Sequence, residues 1–239
     1  LILMTVGMST IAGSVMVIYT TMLSPIYGLG LIGHFLTASL ISVPAGIMYA
    51  NMMIPSDTKT DFPADDSSKM YSSTMDALTR GTQAGIDIFL NVAAMLIVVM
   101  ALVFLVNATL GVIPDIQGQP LTLERIVGWI FAPLAWCMGI PWQESQAAGE
   151  LLGVKTILNE FVAYIYLADT TNYVLSEKSS LIMLYALCGF ANFSSVGILL
   201  SGMSAMVPER RKDLIAVSVK ALWAALLASC MTGFVVGIL

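Results

Sequence analysis

The sequence predicts an all-α, polytopic membrane protein with one re-entrant helical hairpin and two discontinuous transmembrane helices. Three observations carry this reading. Of the 239 residues, 58% are hydrophobic and only 10% are charged, with a mean hydropathy of +0.88. Soluble domains carry about 25% charged residues, so a chain this poor in charge has lipid as its main solvent. The charges are also gathered into clusters. One runs from Asp57 to Asp87, and the other is Glu209-Arg210-Arg211-Lys212-Asp213. Finally, some apolar stretches are long enough to span a bilayer but are broken at mid-depth by small polar residues, and others are too short to span.

A bilayer core of about 30 Å needs about 20 mostly apolar residues as helix. Residues 1–23 meet this as a broken helix, interrupted at Ser9-Thr10 and Gly13-Ser14 and closed by Pro25. Residues 26–54 form a second span, which Pro55 stops. Residues 55–81 are a polar cytoplasmic loop ending in an amphipathic segment, and 84–113 are a third span ended by Pro114. Residues 121–140 carry Glu124, Arg125, an internal Pro133 and the tryptophans Trp129 and Trp136, with Trp142 just beyond. Tryptophan favours the headgroup zone, so this segment reads as an interfacial helix. Residues 146–173 hold two short apolar runs separated by Lys155, Asn159 and Glu160, the pattern of a re-entrant hairpin. Residues 178–207 form a broken helix, interrupted by Gly189, Asn192, Ser194 and Ser195 and ended by Pro208; 212–238 form a terminal span. Arg210-Arg211-Lys212 places its loop in the cytoplasm by the positive-inside rule, with the C-terminus outside. The first residue, Leu1, lies inside an apolar run, and the reading takes the chain as the C-terminal part of a protein whose N-terminal part is missing.

The composition excludes several classes. A net charge of −5 without a basic stripe argues against nucleic-acid binding. Cys137, Cys188 and Cys230 have neither metal nor disulfide spacing and read as small packing residues. His34, the one histidine, reads as a packed or interfacial group. No Gly-rich loop ends in Lys–Ser/Thr, so no nucleotide-hydrolysing motif is present.

The broken segments carry the candidate chemistry, because discontinuous helices mark substrate sites in repeat-built transporters. Glu160 is an ionisable group at the centre of an apolar hairpin, where it is costly unless paired or wetted. It can hydrogen-bond a sugar hydroxyl or titrate during transport; the alternative is an interfacial Glu paired with Lys155. Asn159 and Asn192 offer donors and acceptors to a ligand of mixed polarity, or serve as glue between helices. Ser194, Ser195, Thr10 and Ser14 are hydroxyls in the interruptions. Thr10 and the carbonyl of Ile11 are hard oxygen donors suited to sodium; the alternative is a hydroxyl bonded to its own preceding turn. An intramembrane enzyme would need a second catalytic group near Glu160, and the sequence offers no candidate for it.

The run Gly153-Val154-Lys155-Thr156-Ile157-Leu158-Asn159-Glu160-Phe161-Val162-Ala163-Tyr164 resembles the second hairpin of concentrative nucleoside transporters. Leu187-Cys188-Gly189-Phe190-Ala191-Asn192-Phe193-Ser194-Ser195-Val196-Gly197-Ile198 resembles their broken penultimate helix, and Thr10-Ile11-Ala12-Gly13-Ser14-Val15 their broken fourth helix. Val207-Pro208-Glu209-Arg210-Arg211 is similar to the loop before their last helix. The matches occur in order along essentially the whole chain. The resemblance implies a homotrimer in the plasma membrane that imports nucleosides in symport with Na⁺ or H⁺ by alternating access, without a cofactor. The short loop from Ala168 to Ser180 suits a bacterial member, in the inner membrane. The resemblance further implies that Glu160, Asn192 and Ser195 hold the ribose, that Phe190 lies beside them, and that Val15 lies against the base. In sodium-coupled members the ion would meet Thr10 and the Ile11 carbonyl. The other transport reading is a carrier of another small polar solute, such as a nucleobase or an amino acid.

Overall fold

The computed structural model describes residues 1–28, 30–55, 71–116, 118, 120–171 and 173–239. Every regular element among them is helical. Three helical stretches are long and apolar enough to cross a membrane: Ile2–Tyr27, Leu31–Met53 and Arg211–Ile238.

The first of these stretches is discontinuous. Helix α1 (Ile2–Ser9) and helix α2 (Gly13–Tyr27) are separated by an extended turn through Thr10 and Ala12. The hydroxyls of Ser9 and Thr10 both bond the Val6 carbonyl, at 3.2 and 3.1 Å. Such back-bonding competes with the helix ladder and favours a break. At its other end α2 continues past the expected stop at Pro25. The proline cannot donate to the Thr21 carbonyl, but Ser24 Oγ reaches that carbonyl at 3.4 Å, so the last turn survives to Tyr27. The chain turns at Gly28 and Gly30, both at positive φ, and helix α3 (Leu31–Met53) therefore starts five residues later than the expected 26–54 span.

Of the expected loop 55–81, residues 56–70 lie outside the described residues. Its end is helix. Helix α4 (Thr74–Leu110) begins ten residues before the expected 84–113 span. The cause is local. Ser73 Oγ accepts the Asp76 N–H at 3.2 Å, and Asp76 pairs with Arg80 at 2.7 Å, giving a capped first turn with an acidic residue at its positive end. At ~1.5 Å per residue, the 37 residues of α4 exceed a hydrocarbon core of ~30 Å, so the polar first turns extend beyond it. Among its described side chains Val103 alone is buried, while Phe104 is 76% exposed. Such a surface suits lipid or another polypeptide.

Helix α5 (Leu123–Cys137) is anchored to the end of α4 by Asn107. The amide of that side chain accepts the Leu123 N–H at 2.7 Å and donates to Glu124 at 3.0 Å. The chain then bends by 120° into helix α6 (Trp142–Ile157). The segment expected to lie along the interface thus packs closely on α6. Glycines make this contact: a Cβ on Gly149 would collide with the Gly128 carbonyl and stand 2.8 Å from Ala132 N. Small residues of this kind let membrane helices approach closely. Trp136 and Trp142 meet edge-on at 6.5 Å beside the bend and remain exposed.

Helix α6 and helix α7 (Glu160–Ala168) are the arms of the hairpin, with its tip at Leu158 and Asn159. Helices of 16 and 9 residues are about 24 and 14 Å long, so neither crosses alone. Glu144, in the first turn of α6, accepts from Ser176 N and Oγ at 3.1 and 3.0 Å. Ser176 caps helix α8 (Glu177–Ala186). The chain therefore returns to the side from which it entered. Helix α9 (Phe193–Met206) follows a second break, and helix α10 (Arg211–Ile238) closes the chain after a short 3₁₀ turn. Ala221, Ala225, Ala228, Thr232 and Gly233 give α10 a small-residue face that is buried.

Candidate functional site

The two discontinuous helices touch at their breaks. Gly189 has φ +154°, and a Cβ there would lie 2.7 Å from the Ser9 carbonyl and 3.0 Å from Ser229 Oγ. Only glycine satisfies both the backbone angle and this approach. The hairpin tip reaches the same level, and a cavity of about 540 Å³ opens between the three elements. That volume lies in the ~300–1,000 Å³ range of small-molecule sites.

Three half-helices begin at this cavity. Ala12, Asn159 and Asn192, the N-cap residues of α2, α7 and α9, all line it. Asn159 Oδ1 accepts the Val162 N–H at 2.9 Å, and Asn192 Oδ1 accepts the Ser195 N–H at 2.8 Å. Helix N-termini carry partial positive charge and attract electron-rich groups. Glu160 is the first residue of α7, so its carboxyl group stands at one of these positive ends.

Around Glu160 the polar groups form a chain. Tyr19 Oη donates to Glu160 Oε1 at 3.0 Å, and Asn192 Nδ2 donates to Oε2 at 3.1 Å. Ser195 Oγ donates to Asn192 Oδ1 at 2.9 Å. A buried carboxyl group needs such donors. Beside these polar groups, Val15, Ile18, Phe190, Ile198 and Leu199 also line the cavity and supply apolar walls. A site with one polar end and apolar walls suits a flat, partly apolar molecule bearing hydroxyls or amides.

The residues expected at the site fall into two groups. Glu160, Asn192, Ser195, Val15, Phe190 and Asn159 all line the one cavity. Thr10 and Ile11 do not; they sit in the α1–α2 break beside it. The Thr10 hydroxyl donates to Val6 O at 3.1 Å and the Ile11 N–H donates to Ser39 Oγ at 3.5 Å. The Thr10 hydroxyl and the Ile11 carbonyl are among the oxygen atoms of this break.

The alternative pairing of Glu160 with Lys155 is not the arrangement found. Lys155 is 0% exposed, and its Nζ donates to the Ala186 carbonyl at 2.8 Å. Ala186 is the last residue of α8, whose C-terminal end is the negative pole of its dipole. Tyr164 Oη donates to Leu184 O at 2.8 Å in the same turn. The hairpin thus caps the half-helix α8, in the helix preceding the second break. His34 is a packed group as expected: Nδ1 lies 2.8 Å from Tyr185 Oη, with the rings edge-on.

Tyr19 was not anticipated. Its partner is 141 residues away, and no local pattern announces such a bond. The available signal was its spacing: Tyr19 lies one helical turn beyond Val15, on the same face of α2. Phe161 also lines the cavity and was not anticipated; it follows Glu160 at the hairpin tip.

The chain has clear relatives. A family model described as the Na⁺-dependent nucleoside transporter C-terminus matches residues 34–237. The chain is 34% identical over 240 residues to nucleoside permease NupC of Helicobacter pylori, covering 98% of this chain and 56% of that protein. It is 35% identical over 256 residues to human solute carrier family 28 member 3, covering 99% of this chain and 36% of that protein. It is similar to the structure of CNTnw in an inward-facing substrate-bound state, at 34% identity and a TM-score of 0.81, covering 99% of this chain and 56% of that one. The chain thus spans about half the length of these bacterial and structural relatives, and less of the human one.

Proposed function

The chain belongs to the family of Na⁺-dependent nucleoside transporters, and from that premise we propose that it forms the substrate-binding half of a nucleoside:cation symporter in a bacterial inner membrane. In this reading Glu160, Asn192 and Ser195 hold the ribose, and Asn159 stands at the hairpin tip beside them. Phe190 and Val15 lie against the ring system of the substrate. The observation that carries the reading is the bonded chain Tyr19–Glu160–Asn192–Ser195 inside a cavity at the meeting of two helix breaks and a hairpin tip. A carboxylate held by two donors keeps lone pairs free, and these can accept from sugar hydroxyls.

The coupling ion is carried cargo. Thr10 Oγ1 and the Ile11 carbonyl are hard oxygens in the α1–α2 break, suited to part of a sodium shell. The break also touches the second discontinuous helix at Gly189, so ion and substrate would favour the same arrangement of the two helices. That shared preference is what thermodynamic coupling requires. Alternating access would then move the assembled site against a scaffold. The exposed apolar face of α4 supports a role in that scaffold, within a homotrimer.

The test is Glu160→Gln in the complete protein, reconstituted in proteoliposomes with an imposed Na⁺ or H⁺ gradient and labelled uridine. Gln keeps the shape but loses an acceptor and the charge, and concentrative uptake should fall about 10- to 150-fold, the scale of an interaction with a charged group. Undiminished uptake at normal insertion would refute the assignment.

A further inference from the structure

The back of α9 carries polar groups that the substrate cavity does not use. Ser194, Ser195, Ile198 and Leu199 line that cavity. Phe193, Gly197, Leu200 and Ser204 recur at intervals of three or four residues and share a different stripe of the helix. A separate cavity of about 330 Å³ opens on this stripe, lined by Gly197, Leu200, Ser201, Ser204 and Arg211. Ser204 Oγ is shut off from solvent and has no hydrogen-bond partner among the described residues. That sets it apart in this chain. Thr20, Thr156, Ser229 and Thr232 each donate to the carbonyl one turn earlier, the ordinary resort of a hydroxyl on a helix. A buried polar group without such a bond calls for a partner. Arg211 is also uncommitted: Arg210 pairs with Asp213 at 3.2 Å, whereas Arg211 pairs with no carboxylate among the described residues. The C-terminal end of α9 and the N-terminal end of α10 meet here, so their dipoles offset, and Arg211 is the charged group lining the cavity.

Farther along the same two helices lies an apolar cavity of about 190 Å³, whose walls include Phe193, Leu222, Trp223 and Leu226. On α9 the step between the cavities is Gly197, where a Cβ would meet nothing within 4 Å. On α10 the exposed Ile215 and Val219 lie between Arg211 and Trp223. Ser204 to Phe193 and Arg211 to Leu222 are each eleven residues of helix, about 16 Å. Half of a ~30 Å hydrocarbon core is ~15 Å. The groove is thus one leaflet deep, with a cationic, hydroxyl-bearing mouth and an apolar floor.

We propose that the α9–α10 groove binds one phospholipid with an anionic headgroup. Its phosphate sits between Arg211 and Ser204, and an acyl chain runs over Gly197 to the cavity of Phe193 and Trp223. An anionic headgroup answers both the guanidinium and the orphan hydroxyl, and the chain answers the apolar floor; a free phosphate answers only the first. The site is separate from the nucleoside reading and requires only a bilayer.

The test uses the complete protein, delipidated in detergent, with phosphatidylglycerol or phosphatidylcholine added back. Bound lipid is read by native mass spectrometry and stability from the unfolding midpoint. Phosphatidylglycerol should bind about fivefold better than phosphatidylcholine, the effect of one basic residue at a membrane surface, and should raise the midpoint. Arg211→Gln should remove that preference. Lys212→Gln changes a neighbouring cation outside the cavity and should keep it. Gly197→Leu fills the passage and should weaken both lipids, which keeps the test open if the Arg211 variant folds poorly. Equal binding of the two lipids by the parent, or equal losses in the Arg211 and Lys212 variants, overturns the site. Stabilisation by inorganic phosphate as large as that by phosphatidylglycerol overturns it too, since the chain would then play no part. So does the absence of bound lipid, which would leave the groove to another segment of the complete protein.

Discussion

Replacing Tyr19 by Phe removes a single oxygen from the centre of the site and little else. The ring of Tyr19 packs against Tyr164 at 4.7 Å and against Phe35 and Phe161 at 6.2 Å each, and a phenylalanine ring keeps all three contacts. What disappears is the 3.0 Å bond to Glu160 Oε1. A hydrogen bond to a charged acceptor is worth about 1.5–3 kcal/mol, or about 10- to 150-fold. A substrate hydroxyl or a water can partly replace the lost donor, so the loss should fall at the low end, about tenfold in uptake efficiency. Asn192 still holds Oε2, so transport should be weakened and not abolished. Tyr19→Phe on a Glu160→Gln background should add much less, because the two residues act on one bond. The assay is initial-rate uptake in proteoliposomes over a range of uridine concentrations, with thermal unfolding of the purified protein in parallel. Tyr19→Ala serves as the packing control. It loses the aromatic side chain as well, costing about 3–5 kcal/mol of stability by analogy with Phe→Ala. Uptake by Tyr19→Phe within twofold of the parent would refute the idea that this hydroxyl sets the carboxyl group. So would a fall in activity matched by an equal fall in stability.

Two other perturbations test the scaffold of the site. Lys155→Met leaves the Ala186 carbonyl without its donor; stability should drop by about 1–3 kcal/mol, read from the unfolding midpoint in detergent, and an unchanged midpoint would contradict the capping role. Gly189→Ala forces a Cβ to 2.7 Å from the Ser9 carbonyl at a positive φ; uptake should collapse. Gly197→Ala, which meets nothing within 4 Å, should be neutral or stabilising by about 0.5–1 kcal/mol. Equal behaviour of the two glycine variants in uptake and unfolding would count against a tight crossing of the breaks.

Much of the architecture was legible because lipid allows few exceptions. Ser9-Thr10 and Asn192-Ser194-Ser195 stand out in apolar runs, and each marks a helix break. Glu160 is conspicuous for the same reason, since an acid inside an apolar hairpin needs partners. What was not legible is which partners these are. Lys155 and Glu160 are five residues apart in sequence, yet Lys155 reaches α8 and Glu160 is held by α2 and α9. Sequence spacing cannot report a choice made by packing between distant segments. Helix boundaries failed for smaller reasons. Pro25 looks like a terminator until Ser24 takes over the orphaned carbonyl, and the start of α4 is hidden in a polar stretch whose capping depends on Ser73 and Asp76. Among the site residues, the hydroxyls gave the least information: Ser194 and Ser195 are adjacent and chemically alike, and only their bonding separates them.

The bare crossing at Gly189 has a consequence for motion. Where side chains separate two helices, one can slide by repacking rotamers; where main chain rests on main chain there is no such cushion. The first and penultimate spans are therefore riveted at their weakest points, and neither break can straighten or shift without dragging the other. In the proposed alternating access, a displacement that carries cargo across the bilayer would take both fragments along as one piece, with its hinges located elsewhere.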